Sequence, residues 1–267
     1  MIVRDASAVT TSAFRHPRCW ASSRGGCDPK ISLEHYVSDT VLGVLGIEHL
    51  RSAAYTGGRS NVSISRANFG SKVLCRRHNS DLSGLDTHAR LLFVTQRLFH
   101  AEISKPGLIA EDEQIDISGD LLEKWLLKCL VAQATAKVFT ADTERLHPPD
   151  LAQAAALVFD ETPWPQRWGL WMRHRPDIVL GLRREMAFQP IHLFDGHKLG
   201  GGSCSVGGLE FWISLFSPAA GDGGPFDGAV HRPSGIVYRF PGFTKTIGLH
   251  WRDGSRNPSI AYRVQVR

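Results

Sequence analysis

From Arg15 to Gly84 the chain has few long apolar runs and is rich in Gly, Ser, Arg and Cys. A segment with so little to bury folds only if something other than a core of its own holds it together. Cys19 and Cys27 flank a loop containing Gly and Arg, and Cys75 and His78 stand three apart in "LCRRHN", at the expected start of a helix. Residues three apart there share a face. Two thiolates from one loop plus a thiolate and an imidazole from a helix make the donor set of a closed, tetrahedral zinc site. The Cys19–Cys27 interval is wider than a tight knuckle, and the alternative reading is four unrelated side chains. The chain has five cysteines, an odd number, which suits a reducing compartment and metal ligation better than a disulfide framework.

The rest of the chain is able to build a core, because 42 % of its 267 residues are hydrophobic, as is ordinary for a globular fold. No run approaches the roughly 20 apolar residues that cross a bilayer. "MIVRDASAVTTSAFRHPR" also lacks the apolar centre of a secretory signal, so the expected address is the cytoplasm, with no membrane partner. Leu82, Leu85, Ala89, Leu92, Phe93 and Gln96 recur at steps of three and four within a helix expected from Cys75 or Arg76 to Ile103. A second helix is expected over "GDLLEKWLLKCLVAQATAKVF", and a third after Pro149 with Asp150 as its N-cap. Trp164, Trp168 and Trp171 read as core in preference to a platform for stacked bases. Beyond them, "DIVLGL", "AFQPIHLF", "GLEFWISLF", "GIVYRF", "KTIGLHW" and "IAYRVQV" alternate or run apolar between turn residues, as five or six antiparallel strands do. "KLGGGSCSVGG" reads as a flexible loop. The expected fold is therefore α+β, in three parts: a zinc-stapled module over 1–90, a helical connector over 91–175, and a β-rich region over 176–267. The last part has no assigned role beyond a protein partner or self-association.

Charge is unevenly spread. Residues 1–90 hold 12 Lys and Arg against 7 Asp and Glu, residues 91–175 hold 9 against 12, and the remainder 10 against 7, for a net +5 overall. A basic first third favours a polyanionic partner through Coulomb attraction and counterion release. Arg59, Arg66, Lys72, Arg76 and Arg77 are the side chains expected to meet phosphates, the alternative being a solvated basic face.

"SLEHYVSD", followed after an interval by "SKVLCRRHNSDLSGLD", resembles the HNH, or ββα-metal, endonucleases over about residues 15–90. Glu34, His35, Cys75, His78 and Asn79 carry the likeness by their order. The resemblance implies a β-hairpin and a helix around one divalent ion, with His35 as general base, Glu34 as an acidic metal ligand and Asn79 as the helix-borne ligand. It implies hydrolysis of phosphodiesters in DNA before RNA, and in bacteria a role in mobile elements or phage defence. The chemistry suits those residue types. A phosphodiester is anionic with a poor leaving group, so Mg²⁺ or Mn²⁺ on oxygen ligands offsets its charge, and imidazole accepts a proton from water near neutral pH. Ser83 or Asp86 is placed to supplement Asn79, the alternative for Asp86 being a local salt bridge or turn. Neighbouring side chains on a strand diverge, so Glu34 and His35 converge only where the strand bends or ends, and an irregularity is expected there. The competing expectation is a zinc-stabilised nucleic-acid-binding or scaffold protein without turnover.

Overall fold

The computed structural model describes residues 13–51, 63–103, 111–141, 144–173, 177–178, 186–193, 198–219 and 224–264. In the first third, β1 (Ile31–His35) leads through α1 (Asp39–Val44) and the short pair β2 (His49–Arg51) and β3 (Ser63–Ser65) to β4 (Gly70–Cys75), which lies antiparallel to β1. Ser32 opposes Leu74 and Glu34 opposes Ser71, so Lys72 and Val73 together face Leu33. This is a bulge, and it lies on the partner strand just before the Glu34–His35 pair. β4 runs directly into α2 (Arg76–Asp81), and α3 (Ser83–Ile103) follows after a break at Leu82 (φ −90°, ψ −5°). The expected single helix is thus two, nearly continuous. Its stripe of Leu82, Leu85, Ala89, Leu92, Phe93 and Gln96 is buried, as the spacing requires.

After β5 (Glu113–Ser118) the chain turns into α4 (Gly119–Thr135), where Ser118 Oγ accepts from Leu121 N at 3.2 Å and Asp120 sits at the positive end of the helix. This helix is buried on all sides, from Leu122 through Ala134 apart from Lys124, which makes it the axis of the molecule. It contacts β1, β4, α3 and strands of both large sheets. One buried cluster runs around it from Cys19 to Val264, so residues from all three expected parts share a single core. No described helix is long and apolar enough to cross a membrane.

The short pair β6 (Thr140–Ala141) and β7 (Glu144–Arg145) precedes α5 (Leu151–Phe159). Asp150 caps α5 as expected, accepting from Ala152 N at 2.9 Å and Gln153 N at 3.0 Å. The strands that follow are β8 (Gly169–Arg173), β9 (Asp177–Ile178), β10 (Met186–His192), β11 (Leu199–Val206), β12 (Leu209–Ser214), β13 (Ala229–His231), β14 (Gly235–Phe240), β15 (Phe243–His250) and β16 (Ile260–Val264). One sheet, in the order β10-β11-β12-β8-β13, is antiparallel throughout. The other, β5-β15-β14-β16-β9, is antiparallel only between β14 and β15. The parallel pairs depart from the antiparallel expectation. β5, far upstream in sequence, docks beside β15, and such distant pairing leaves no local hairpin signal. Trp171, on β8, is buried, and Trp164 and Trp168 pack against the core, although no helix links them.

"KLGGGSCSVGG" is not a loop. It forms β11, buried along almost its whole length between β10 and β12. The missing side chains are what let it fit: a Cβ on Gly202 would stand 2.7 Å from Leu130 Cδ1 of α4. Gly202→Ala is expected to cost about 1–3 kcal/mol by overpacking, read as a lower urea midpoint with an unchanged slope.

Candidate metal centre and its surroundings

Cys19, Cys27, Cys75 and His78 converge. Their ligand atoms all lie within 4.8 Å of one another, and all four residues are buried. His78 Nδ1 is 3.3 Å from Cys19 Sγ, 3.8 Å from Cys27 Sγ and 3.4 Å from Cys75 Sγ. Donors on one tetrahedral zinc, with bonds near 2.3 Å to sulfur and 2.0 Å to nitrogen, stand about 3.5–3.8 Å apart, so this group is able to hold a metal such as zinc. Local structure builds it. Cys75 ends β4 and caps α2, its sulfur accepting from His78 N at 3.4 Å. Trp20 N donates to Val73 O at 2.9 Å, which ties the first cysteine's loop to β4. The second cysteine is reached through Gly26, whose φ is +61° and where a Cβ would lie 2.3 Å from Arg77 Nη1. Phe159 of α5 covers the His78 ring edge-on at 5.4 Å and shields the group from solvent.

Burial pushes the Cys19 thiol up to about 12, with Cys75 and Cys27 adding to the effect, and pulls His78 below its ordinary value. The imidazole is therefore neutral and ready to ligate. The Cys19 thiol resists ionising on its own, a penalty that a central dication would remove.

The residues beside this group divide. Asn79 Nδ2 donates to Ser32 Oγ at 2.9 Å and Leu33 O at 2.8 Å, fastening α2 to β1 next to the Glu34–His35 pair. β1 ends at His35, whose Nε2 is buried and has no hydrogen-bond partner among the described residues. Glu34 turns inward, 1 % exposed, and its carboxylate meets Lys128 Nζ of α4 at 2.8 Å. Asp86 holds the same ammonium at 2.5 Å, accepts from Ser38 Oγ, and Ser38 in turn accepts from Trp125 Nε1 at 2.7 Å. Burial pushes Glu34 up to about 7 against the pull of Lys128. Burial also works against the Lys128 charge, but Glu34 and Asp86 outweigh it and raise that group.

A divalent ion on Glu34 and Asn79 does not fit this arrangement. The ammonium already neutralises the carboxylate, and at 1 % exposure it has no route to solvent. Placing a dication about 4 Å from it would cost on the order of 8 kcal/mol of repulsion at an effective dielectric of 20. Lys128 was not among the residues singled out in sequence. The available signal was a lysine and a glutamate, Lys128 and Glu123, on a helix otherwise apolar enough to be buried all round. Each needs a counter-charge from elsewhere.

Of the expected phosphate contacts, Lys72, Arg76 and Arg77 are exposed beside the metal group, and Arg77 Nη1 also donates to Gly26 O at 3.0 Å. Arg66 is held by Asp39 at 2.9 Å and Glu48 at 3.4 Å, which offsets its charge. Arg59 lies outside the described residues. Two further exposed cations join the group. Arg18 Nη2 donates to Lys72 O at 3.3 Å, and Lys30 O accepts from Arg76 N at 2.8 Å.

No family model, curated protein or solved structure matches the chain.

Proposed function

We propose that the chain is a zinc-stabilised protein that grips the phosphate backbone of duplex DNA with the metal end of its β1–β4 pair, and that its likeness to the HNH endonucleases is one of scaffold. The observation that carries this reading is the set Arg18, Lys30, Lys72 and Arg76. All four are exposed and none is in an ion pair among the described residues. Each lies one to three residues from a cysteine of the metal group. Like charges repel when gathered, and a metal clamp holds them against that repulsion, leaving a cationic edge for an anionic backbone. Such contacts position a duplex without reading its bases.

Fluorescence anisotropy with a labelled duplex across a salt series tests it. Replacing Arg18, Lys72 and Arg76 together with Gln is expected to flatten the plot of log affinity against log salt by about 3 units of slope, with zinc content unchanged. Equal slopes for the two proteins would remove the proposal.

A second reading, metal-dependent cleavage with His35 as general base, is favoured by the unpartnered His35 Nε2 and by Asn79 lying against β1. Plasmid digestion with Mg²⁺ or Mn²⁺ separates the two. Binding without nicking is expected, whereas nicking that disappears in both His35→Ala and Asn79→Ala would establish the nuclease.

A further inference from the structure

A cavity of about 340 Å³ lies between the first turns of α4, the end of α5 and the turns that follow β13 and β15. Small-molecule sites run from roughly 300 to 1,000 Å³. Most charges around this one are matched: Arg252 pairs with Glu161, Arg232 with Asp253, and Asp160 with Arg24. Asp120 and Lys124 are the exceptions. They stand four apart on α4, a spacing at which an acid and a base ordinarily pair, and both line the cavity. Among the described residues neither is in an ion pair. Lys124 Nζ donates to the backbone carbonyl of Asp160 at 2.7 Å, and the Asp120 carboxylate accepts from Arg252 N at 3.0 Å.

Arg232 supplies a separate observation. Its side chain is 8 % exposed and borders the same cavity. Of a guanidinium's five N–H groups, two go to Glu123 and one to Asp253, and the others have no acceptor among the described residues. Trp164 gives the wall an apolar surface. Polar groups left unmatched in a partly dry cavity are costly, and a ligand bringing the complementary groups removes that cost. The unmatched set is a carboxylate, an ammonium and guanidinium N–H groups. An amine or a carboxylic acid alone answers one half of it, so both charges are required in one molecule.

We propose that this cavity binds a small zwitterion of the α-amino-acid class, with its carboxylate on Lys124 and Arg232, its ammonium on Asp120 and an apolar side chain against Trp164. No residue of the cationic edge assigned to DNA takes part, so the two proposals stand or fall separately.

The test uses the full-length zinc-loaded chain, followed by thermal unfolding and isothermal titration calorimetry. The probes are the proteinogenic L-amino acids one at a time, with L-phenylalanine first, and its analogues phenethylamine and 3-phenylpropionate, which lack the carboxylate and the amine. An apolar amino acid is expected to bind once per chain and to raise Tm by about 5 °C at roughly 100-fold above Kd. Neither analogue should do so. Lys124→Met and Asp120→Asn are each expected to weaken the binding by about 10-fold or more. Unfolding without ligand reports whether each variant is folded, and Asp120→Asn, which changes no atom count in the side chain's heavy framework, carries the test should Lys124→Met not fold. Three results would overturn the proposal: no amino acid binding, either analogue binding as well as the amino acid, or unchanged affinity in the folded variants.

Discussion

Cys75→Ser is expected to strip the chain of its zinc and unfold the segment around it, with the whole molecule losing at least about 10 °C in Tm. Cys75 serves three purposes at once: it ends β4, caps α2 and supplies a donor to the metal group. Structural zinc in small modules contributes an apparent binding energy of roughly 10 kcal/mol or more near neutral pH, and that energy becomes folding energy where no core replaces it. Here the segment 13–30 holds only Cys19, Trp20, Ala21 and Cys27 as buried apolar contacts, so little else retains it. Elemental analysis should find one zinc per wild-type chain and none in the variant, and limited proteolysis should open the variant first within that same segment. A variant with unchanged zinc and unchanged protease resistance would show that the four side chains do not act as a metal site.

The second large effect is expected at Arg232. Glu123 of α4 is fully buried and is held bidentately by Arg232, at 3.0 Å to Nε and 2.8 Å to Nη2, while Leu170 N donates to it at 2.7 Å. Asp253 completes the pair from the other side of the guanidinium. Arg232→Met leaves a carboxylate in the core without its counter-charge and is expected to cost about 3–5 kcal/mol in urea unfolding. Glu123→Gln in the same background should recover much of that loss. The cost depends on pH in a stated direction. Burial already pushes Glu123 up to about 7 against the pull of Arg232. A raised carboxyl contributes stability that is fully present below its ordinary value and lost as pH rises through the folded one. Removing the arginine raises it further, so the variant should fall further behind wild type at pH 8 than at pH 5. A deficit independent of pH would mean that lost packing, not a stranded charge, is responsible.

These two sites differ in how far they were legible in sequence. The metal group was readable because ligand chemistry restricts the residue types, and because a segment poor in apolar side chains needs a staple. The helices were readable for a similar reason: the stripe from Leu82 to Gln96 and the Asp150 cap are local patterns with local causes. Glu34 was readable as an unusual carboxylate but not by its partner. Resemblance pointed it at a metal ion, whereas in the folded chain it meets a lysine supplied by α4. Asp86 was read either as a further ligand beside Asn79 or as a local salt-bridge or turn residue; it does form a salt bridge, to the same lysine, but from 42 residues away and not locally. A glycine-rich stretch looked like a loop because composition does not reveal that a leucine on a distant helix will occupy the space its missing side chains leave.

By itself, the chain's order of residues determined where most of the helices lie, which donors are able to hold a metal, and that the two outer parts of the chain are basic and the middle acidic. Each of these follows from neighbours within a turn or two, or from the chemistry of single side chains. Only the tertiary structure decided that β5 lies beside β15, that residues from Cys19 to Val264 share one core, and that the buried charges of α4 are matched by Glu34, Asp86 and Arg232. Those outcomes depend on charges and surfaces far apart along the chain. A buried ion accepts whichever opposite charge the packing brings within about 3 Å, and sequence spacing carries no record of that distance.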